Sequence, residues 1–149
     1  MKSYLNRIFL VALMGVALPY FSAAQTESVK AEENLAEKKA ALESVESWLT
    51  LIDATKYNKS WDAAAKLFQD NVAKADWKKS VEGVRAPLGK VVSRTMVAQR
   101  YLTKMPGAPD GQYVILQYAT VFENKKEAME TVIPLVENGE WKVSGYHVK

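Results

Sequence analysis

Arg85-Ala86-Pro87-Leu88-Gly89 closes one helix-like segment and opens a run of four strand-like segments that continues to Lys149. Before it, Trp77, Val81 and Val84 recur at spacings of four and three, which sets a helix over about Val72 to Ala86 with Lys74, Lys78 and Glu82 on its outer face. Pro87 and Gly89 stop it, because proline disfavours helix in the residue before it and glycine punctuates. After Lys90 the pattern is β. Val91 to Thr103 is rich in β-branched and aromatic residues, and Met105-Pro-Gly-Ala-Pro-Asp-Gly111 turns the chain. Tyr113 to Phe122 is the most apolar segment and is read as central. Glu123 to Glu127 then turns into Ala128 to Val136, and Asn138-Gly139 forms a tight hairpin into Trp141 to Val148. Pro134 lacks an N–H to donate, so it marks an edge or a bulge. Connections this short make neighbouring strands antiparallel.

Working back from that stretch, Asn58 or Ser60 is read as the cap of a second, shorter helix with Trp61, Ala64, Ala65 and Phe68 inward. Thr26 to Ala54 holds no Gly or Pro and is rich in helix formers. Leu35, Leu42 and Leu49, with Val45, Ile52 and Trp48, give it one apolar stripe that is dense from Leu42 to Ile52 and sparse before. Residues 25–41 are therefore read as a charged helical extension and 42–149 as one domain. Helices before a meander sheet give an α+β fold, in which N-terminal helices pack on one face of a curved four-stranded antiparallel sheet and leave a cleft with aromatic walls.

At the N-terminus, Lys2 and Arg7 precede the apolar run Ile8 to Leu18, and Ser22 and Ala24 supply small residues before a cleavage point. Residues 1–24 read as a signal peptide, the competing reading being an uncleaved anchor. The expected location is the periplasm, or secretion, without stable membrane insertion after cleavage. The chain has no cysteine, which excludes disulfides, thiol chemistry and a lipidated cysteine. The net charge of +3 belongs largely to the leader. Removing Lys2 and Arg7 leaves 18 basic against 17 acidic side chains, +1 in total. A near-neutral surface does not point to nucleic acid, whose binding needs many neutralised phosphates.

The chemistry-bearing residues admit more than one use. Asp53 and Tyr57 stand about one turn apart at the end of the first helix. With Tyr146 as a donor, Asp53 is a candidate general base of a cleft enzyme; the plainer reading is a helix end on a surface. Arg85 and Arg94 flank the Pro87 break, where a guanidinium pair holds a carboxylate or phosphate, or else braces the helix-to-sheet corner through Asp53, Asp62 or Glu130. Trp61, Trp77 and Trp141 are core anchors or, less simply, walls of a ligand pocket. His147 is the only histidine, which argues against zinc and against a serine triad, and no phosphate-binding glycine loop is present. No cofactor is expected.

Trp61-Asp-Ala-Ala-Ala, Trp77, Arg85-Ala-Pro-Leu-Gly, Arg94, Pro106 to Tyr113, Glu130 and Gly139 to Tyr146 together resemble the DUF4019 family over about Leu42 to Lys149. The resemblance implies an exported or membrane-associated bacterial protein with an NTF2-like (cystatin-like) fold and brings no activity with it. The expectation is thus a non-catalytic binding module for a small apolar or acidic ligand, or for a protein partner, with Arg85, Arg94 and Trp61 as candidate ligand contacts. The rivals are the Asp53 enzyme and an assembly module that forms a homodimer through the sheet.

Overall fold

The structure, a computed structural model, describes the backbone of residues 23–149 and side chains from Asn34 onward. The leader read over residues 1–24 lies outside the described residues except for Ala23 and Ala24. The helices are α1 (Ala23–Asp53), α2 (Tyr57–Asp62), α3 (Lys66–Asn71) and α4 (Lys74–Leu88). The strands are β1 (Val91–Leu102), β2 (Tyr113–Phe122), β3 (Ala128–Glu137) and β4 (Glu140–Val148). All strand pairs are antiparallel and the sheet order is β1-β2-β3-β4, a meander with helices before it, so the fold is α+β.

The stripe on α1 does what its spacing dictates. Ala41, Val45, Trp48, Leu49 and Ile52 are buried against Val114, Leu116, Tyr118, Val132 and Val143 of the sheet, while Leu35 is 68 % exposed. Burial of apolar surface at about 25 cal/mol per Å² makes this helix–sheet layer the main stabilising contact of the domain. The aromatic side chains expected to wall a cleft instead fill the layer. Trp48 and Trp77 ring centres lie 6.0 Å apart, Phe68 meets Trp77 edge-on at 5.0 Å, and Tyr146 contacts both tryptophans. Their polar edges are satisfied by one serine: Trp48 Nε1 donates to the Ser60 carbonyl and Trp77 Nε1 to Ser60 Oγ, which itself donates to the Tyr57 carbonyl.

Several helix readings need correction. The single second helix is two short ones, because Ala65 adopts extended backbone and its N–H donates to the Val143 carbonyl of β4 at 2.8 Å. Neither Asn58 nor Ser60 caps α2; Lys56 holds that position without a side-chain bond, and Ser60 turns inward to serve the tryptophans. The helix expected to stop at Ala86 continues through Pro87 to Leu88. Its buried face is Trp77, Val81 and Arg85, with Val84 46 % exposed.

The corner after α4 explains the opening motif. The orphan carbonyls of Pro87 and Leu88 accept from Asn124 Nδ2 and Asn124 N, so the β2–β3 turn ends the helix. Gly89 has φ 75 and ψ −160, a region open essentially to glycine alone. A Cβ there would sit 2.7 Å from a Glu123 carboxylate oxygen, which accepts the Lys90 N–H at 2.8 Å. Elsewhere Pro134 sits at a register shift in the interior strand β3, a bulge rather than an edge.

Candidate functional site

Four elements, β1, β2, β4 and α4, send donors to one buried carboxylate on β3. Glu130 of β3 is fully buried, an arrangement that costs several kcal/mol unless donors replace water. Arg94 of β1 donates to it through Nε (2.6 Å) and Nη2 (3.2 Å), and Arg85 of α4 through Nη1 (3.4 Å). Thr120 Oγ1 of β2 and the Tyr146 hydroxyl of β4 each donate at 2.6 Å. The same guanidiniums hold Asp53 at the end of α1: Arg85 Nη2 at 2.9 Å, and Arg94 Nη1 and Nη2 at 2.8 and 3.0 Å. Two arginines thus face two carboxylates, a neutral set in which Arg85 is 5 % exposed and Arg94 16 %.

Strand alternation places Arg94, Thr120 and Glu130 in register on the helix-facing side, Arg94 opposite Thr120 and Glu130 opposite Tyr118, one pair along. Arg85 reaches the same point from the third turn of α4's buried face, where its guanidinium carbon lies 4.8 Å from the Phe122 ring centre. Its Nε is buried with no hydrogen-bond partner among the described residues.

The electrostatics follow from this pairing. Burial works against the Asp53 carboxylate, but hydrogen bonds and charge from Arg94 and then Arg85 outweigh it and hold the group below the usual carboxylate range. Burial likewise works against the charge on Arg94 and Arg85, and their acidic and phenolic neighbours raise both above the ordinary arginine value. Burial, with Glu130 beside it, raises the Tyr146 phenol well above its usual value, and burial pushes the Tyr118 phenol up to about 12.

The sequence-derived candidates are therefore only partly together. Asp53, Arg85, Arg94 and Tyr146 share the network. Asp53 and Tyr57 are not on one helix: Asp53 ends α1 and Tyr57 begins α2, separated by Thr55 in the left-handed region at φ 56. Asp62 pairs with Lys74 and not with the arginines. Trp61 donates its indole N–H to the Val72 carbonyl, beneath the Lys74 ammonium, and does not line the cleft beside the network. His147 is exposed on β4. Thr120 escaped the sequence reading; its only signal is its alternation with Tyr118 and Phe122.

An open cleft of about 510 Å³ borders the network, between the end of α1, α4 and the β2–β3 turn. Asp53, Tyr57 and Arg85 contribute to one side, and Lys78, Lys90 and Glu123 to others.

This geometry defines a class first: a helices-on-sheet α+β domain whose corner is tied by a buried Arg₂/Asp/Glu network. The chain belongs to the DUF4019 family, described as a protein of unknown function, whose model matches residues 44–146. Comparison with curated proteins returns no match.

Proposed function

We propose that the protein is an exported, non-catalytic binding module that acts through the cleft beside Asp53. One observation carries this reading: the carboxylate best placed for base chemistry is bound by two guanidiniums and held below its ordinary pKa. A general base needs a pKa near the working pH, so this group lacks proton affinity where an enzyme would use it. Tyr146 donates its proton to Glu130, which removes the proposed oxyanion donor as well. The cleft volume lies in the range of about 300–1,000 Å³ usual for small-ligand sites. Export rests on the leader-like residues 1–24, and the NTF2-like assignment on the quoted motifs with the order of helices and strands.

An assembly role is favoured by a separate feature, the sheet face away from the helices, where Ser93, Thr95, Ala119 and Met129 border a hollow of about 520 Å³. Native mass spectrometry of the protein recovered from the envelope of its own bacterium separates the readings. A binding module retains a small molecule at one per chain; a homodimer appears at twice the mass. A bare monomer that turns over a substrate and loses turnover in Asp53→Asn overturns both.

A further inference from the structure

The two edges of the sheet are finished differently. On β4 the Val143 carbonyl accepts the Ala65 N–H and the Trp141 carbonyl accepts Ser44 Oγ, so neighbouring segments take up that edge. On β1 the direction of the free groups follows from the ladder. The Glu123 N–H donates to the Lys90 carbonyl and the Phe122 N–H to the Lys125 carbonyl, so odd-numbered residues of β2 bond toward β1 and even-numbered ones toward β3. Arg94 and Met96 stand opposite Thr120 and Tyr118, so their own N–H and C=O groups point to the open edge. None of these four groups has a partner among the described residues.

The side chains supply an independent observation. The register shifts on β1 leave Val92 and Val97 without a partner on β2, and both are exposed, at 62 % and 54 %. With Met96 they make up half of the large apolar side chains exposed among the described residues, a concentration on one strand that core burial does not explain. Edge strands are normally blunted by Lys, Pro or a charge, and bulges serve the same end. β1 has neither Lys nor Pro. Arg94 points inward with its charge met by Asp53 and Glu130, and both bulges present valines.

We propose that this edge pairs with β1 of a second copy, antiparallel about a two-fold axis at Thr95, joining two four-stranded sheets into one. The register is self-complementary. Arg94 and Met96 exchange backbone bonds with the partner's Met96 and the partner's Arg94, Thr95 faces the partner's Thr95, and Val92 lies beside the partner's Val97 at each end. The arginines at the seam do not repel, because each is already neutralised within its own copy. The overlap from Val91 to Gln99 is about 30 Å long and the strand-plus-helix layer roughly 20 Å deep, a footprint of roughly 600 Å² per copy. Doubled, that reaches the lower bound of about 1,200 Å² for a specific interface, so the dimer is reversible and concentration-dependent. The proposal is independent of the cleft beside Asp53, and it uses the edge of the sheet where the assembly reading above uses its outer face.

Sedimentation velocity of protein produced from the full chain, over a wide concentration range, reads the association, and amide hydrogen exchange by NMR locates it. The expected result is a monomer–dimer equilibrium in which the Arg94 and Met96 amides exchange more slowly as dimer accumulates. Val97→Lys weakens dimerisation about tenfold or more, because an apolar contact is lost from the seam in both copies. Met96→Pro removes one free-edge N–H from each copy without touching the β1–β2 ladder and acts in the same direction. Ala119→Lys, on the outer face, leaves the dissociation constant within about twofold. Unchanged circular dichroism establishes that the variants are folded, and the exchange data on the native protein stand without them. A chain that stays monomeric at every concentration overturns the proposal, whether the edge is left bare or is taken by another protein. A dimer that dissociates in Ala119→Lys but not in Val97→Lys overturns it too, since the seam is then the outer face. The same holds for a dimer whose Arg94 and Met96 amides exchange as freely as in the monomer.

Discussion

Glu130→Gln preserves the shape of the buried side chain and removes its charge. The carboxylate accepts from Arg94 Nε, Arg94 Nη2, Arg85 Nη1, Thr120 and Tyr146, with three of those bonds at 2.6 Å. An amide offers one acceptor oxygen and presents two donors where a second acceptor stood. The Thr120 hydroxyl can rotate to accept; the Arg94 guanidinium cannot. Two cations then face Asp53 alone, leaving one buried positive charge uncompensated. Breaking a buried pair in this way costs about 3–5 kcal/mol. Against a total stability of roughly 5–15 kcal/mol, that is a fifth or more of what holds a domain of this size folded. Urea unfolding followed by tryptophan fluorescence measures it, and at about 4 °C per kcal/mol the melting temperature falls by roughly 12–20 °C. A loss under about 1 kcal/mol with an unchanged denaturant slope would refute the view that Glu130 compensates the arginines.

Other consequences are simpler to check. Gly89→Ala forces a Cβ onto a glycine-only conformation facing Glu123 and loses about 1–3 kcal/mol in the same urea assay. Trp77→Ala opens a cavity between Phe68, Trp48 and Tyr146 and costs about 3–5 kcal/mol. Because the folded pKa of Asp53 is lowered, its contribution is present above the unfolded value of about 3.9 and is lost as pH falls through the folded value; Asp53→Asn flattens that acid limb. Tyr118 and Tyr146 have raised folded pKa values, so their contribution is present below the unfolded value of about 10 and fades as pH rises beyond it. Ultraviolet titration of phenolate should show these two groups ionising later than a free tyrosine.

The sheet was legible from local chemistry because its determinants are local. Tyr113 to Phe122 runs as read and sits between β1 and β3, and Asn138 and Gly139 both take positive φ in the hairpin. The bulge at Pro134 follows from a missing N–H. What the sequence hid depends on distant partners. No local signal says that Ala65 will bond to Val143 and split a helix, or that Ser60 will serve two indoles instead of capping. Apolar periodicity put Val84 inward in place of Arg85, since an arginine becomes a core residue only when Glu130 and Asp53 await it. The bracing use of Arg85 and Arg94 was readable as one option, and the geometry of their partners decides it. Tyr57, Lys78 and Lys90 come from separate segments with no shared spacing, so only the fold assembles their cleft.

The central claim is that Asp53 is a paired anion and not a base. A ¹³C NMR titration of the Asp53 carboxyl reports this directly. The native midpoint falls below the ordinary aspartate value of 3.8 and moves upward in Arg94→Gln. A midpoint above 3.8 in the native protein would contradict it.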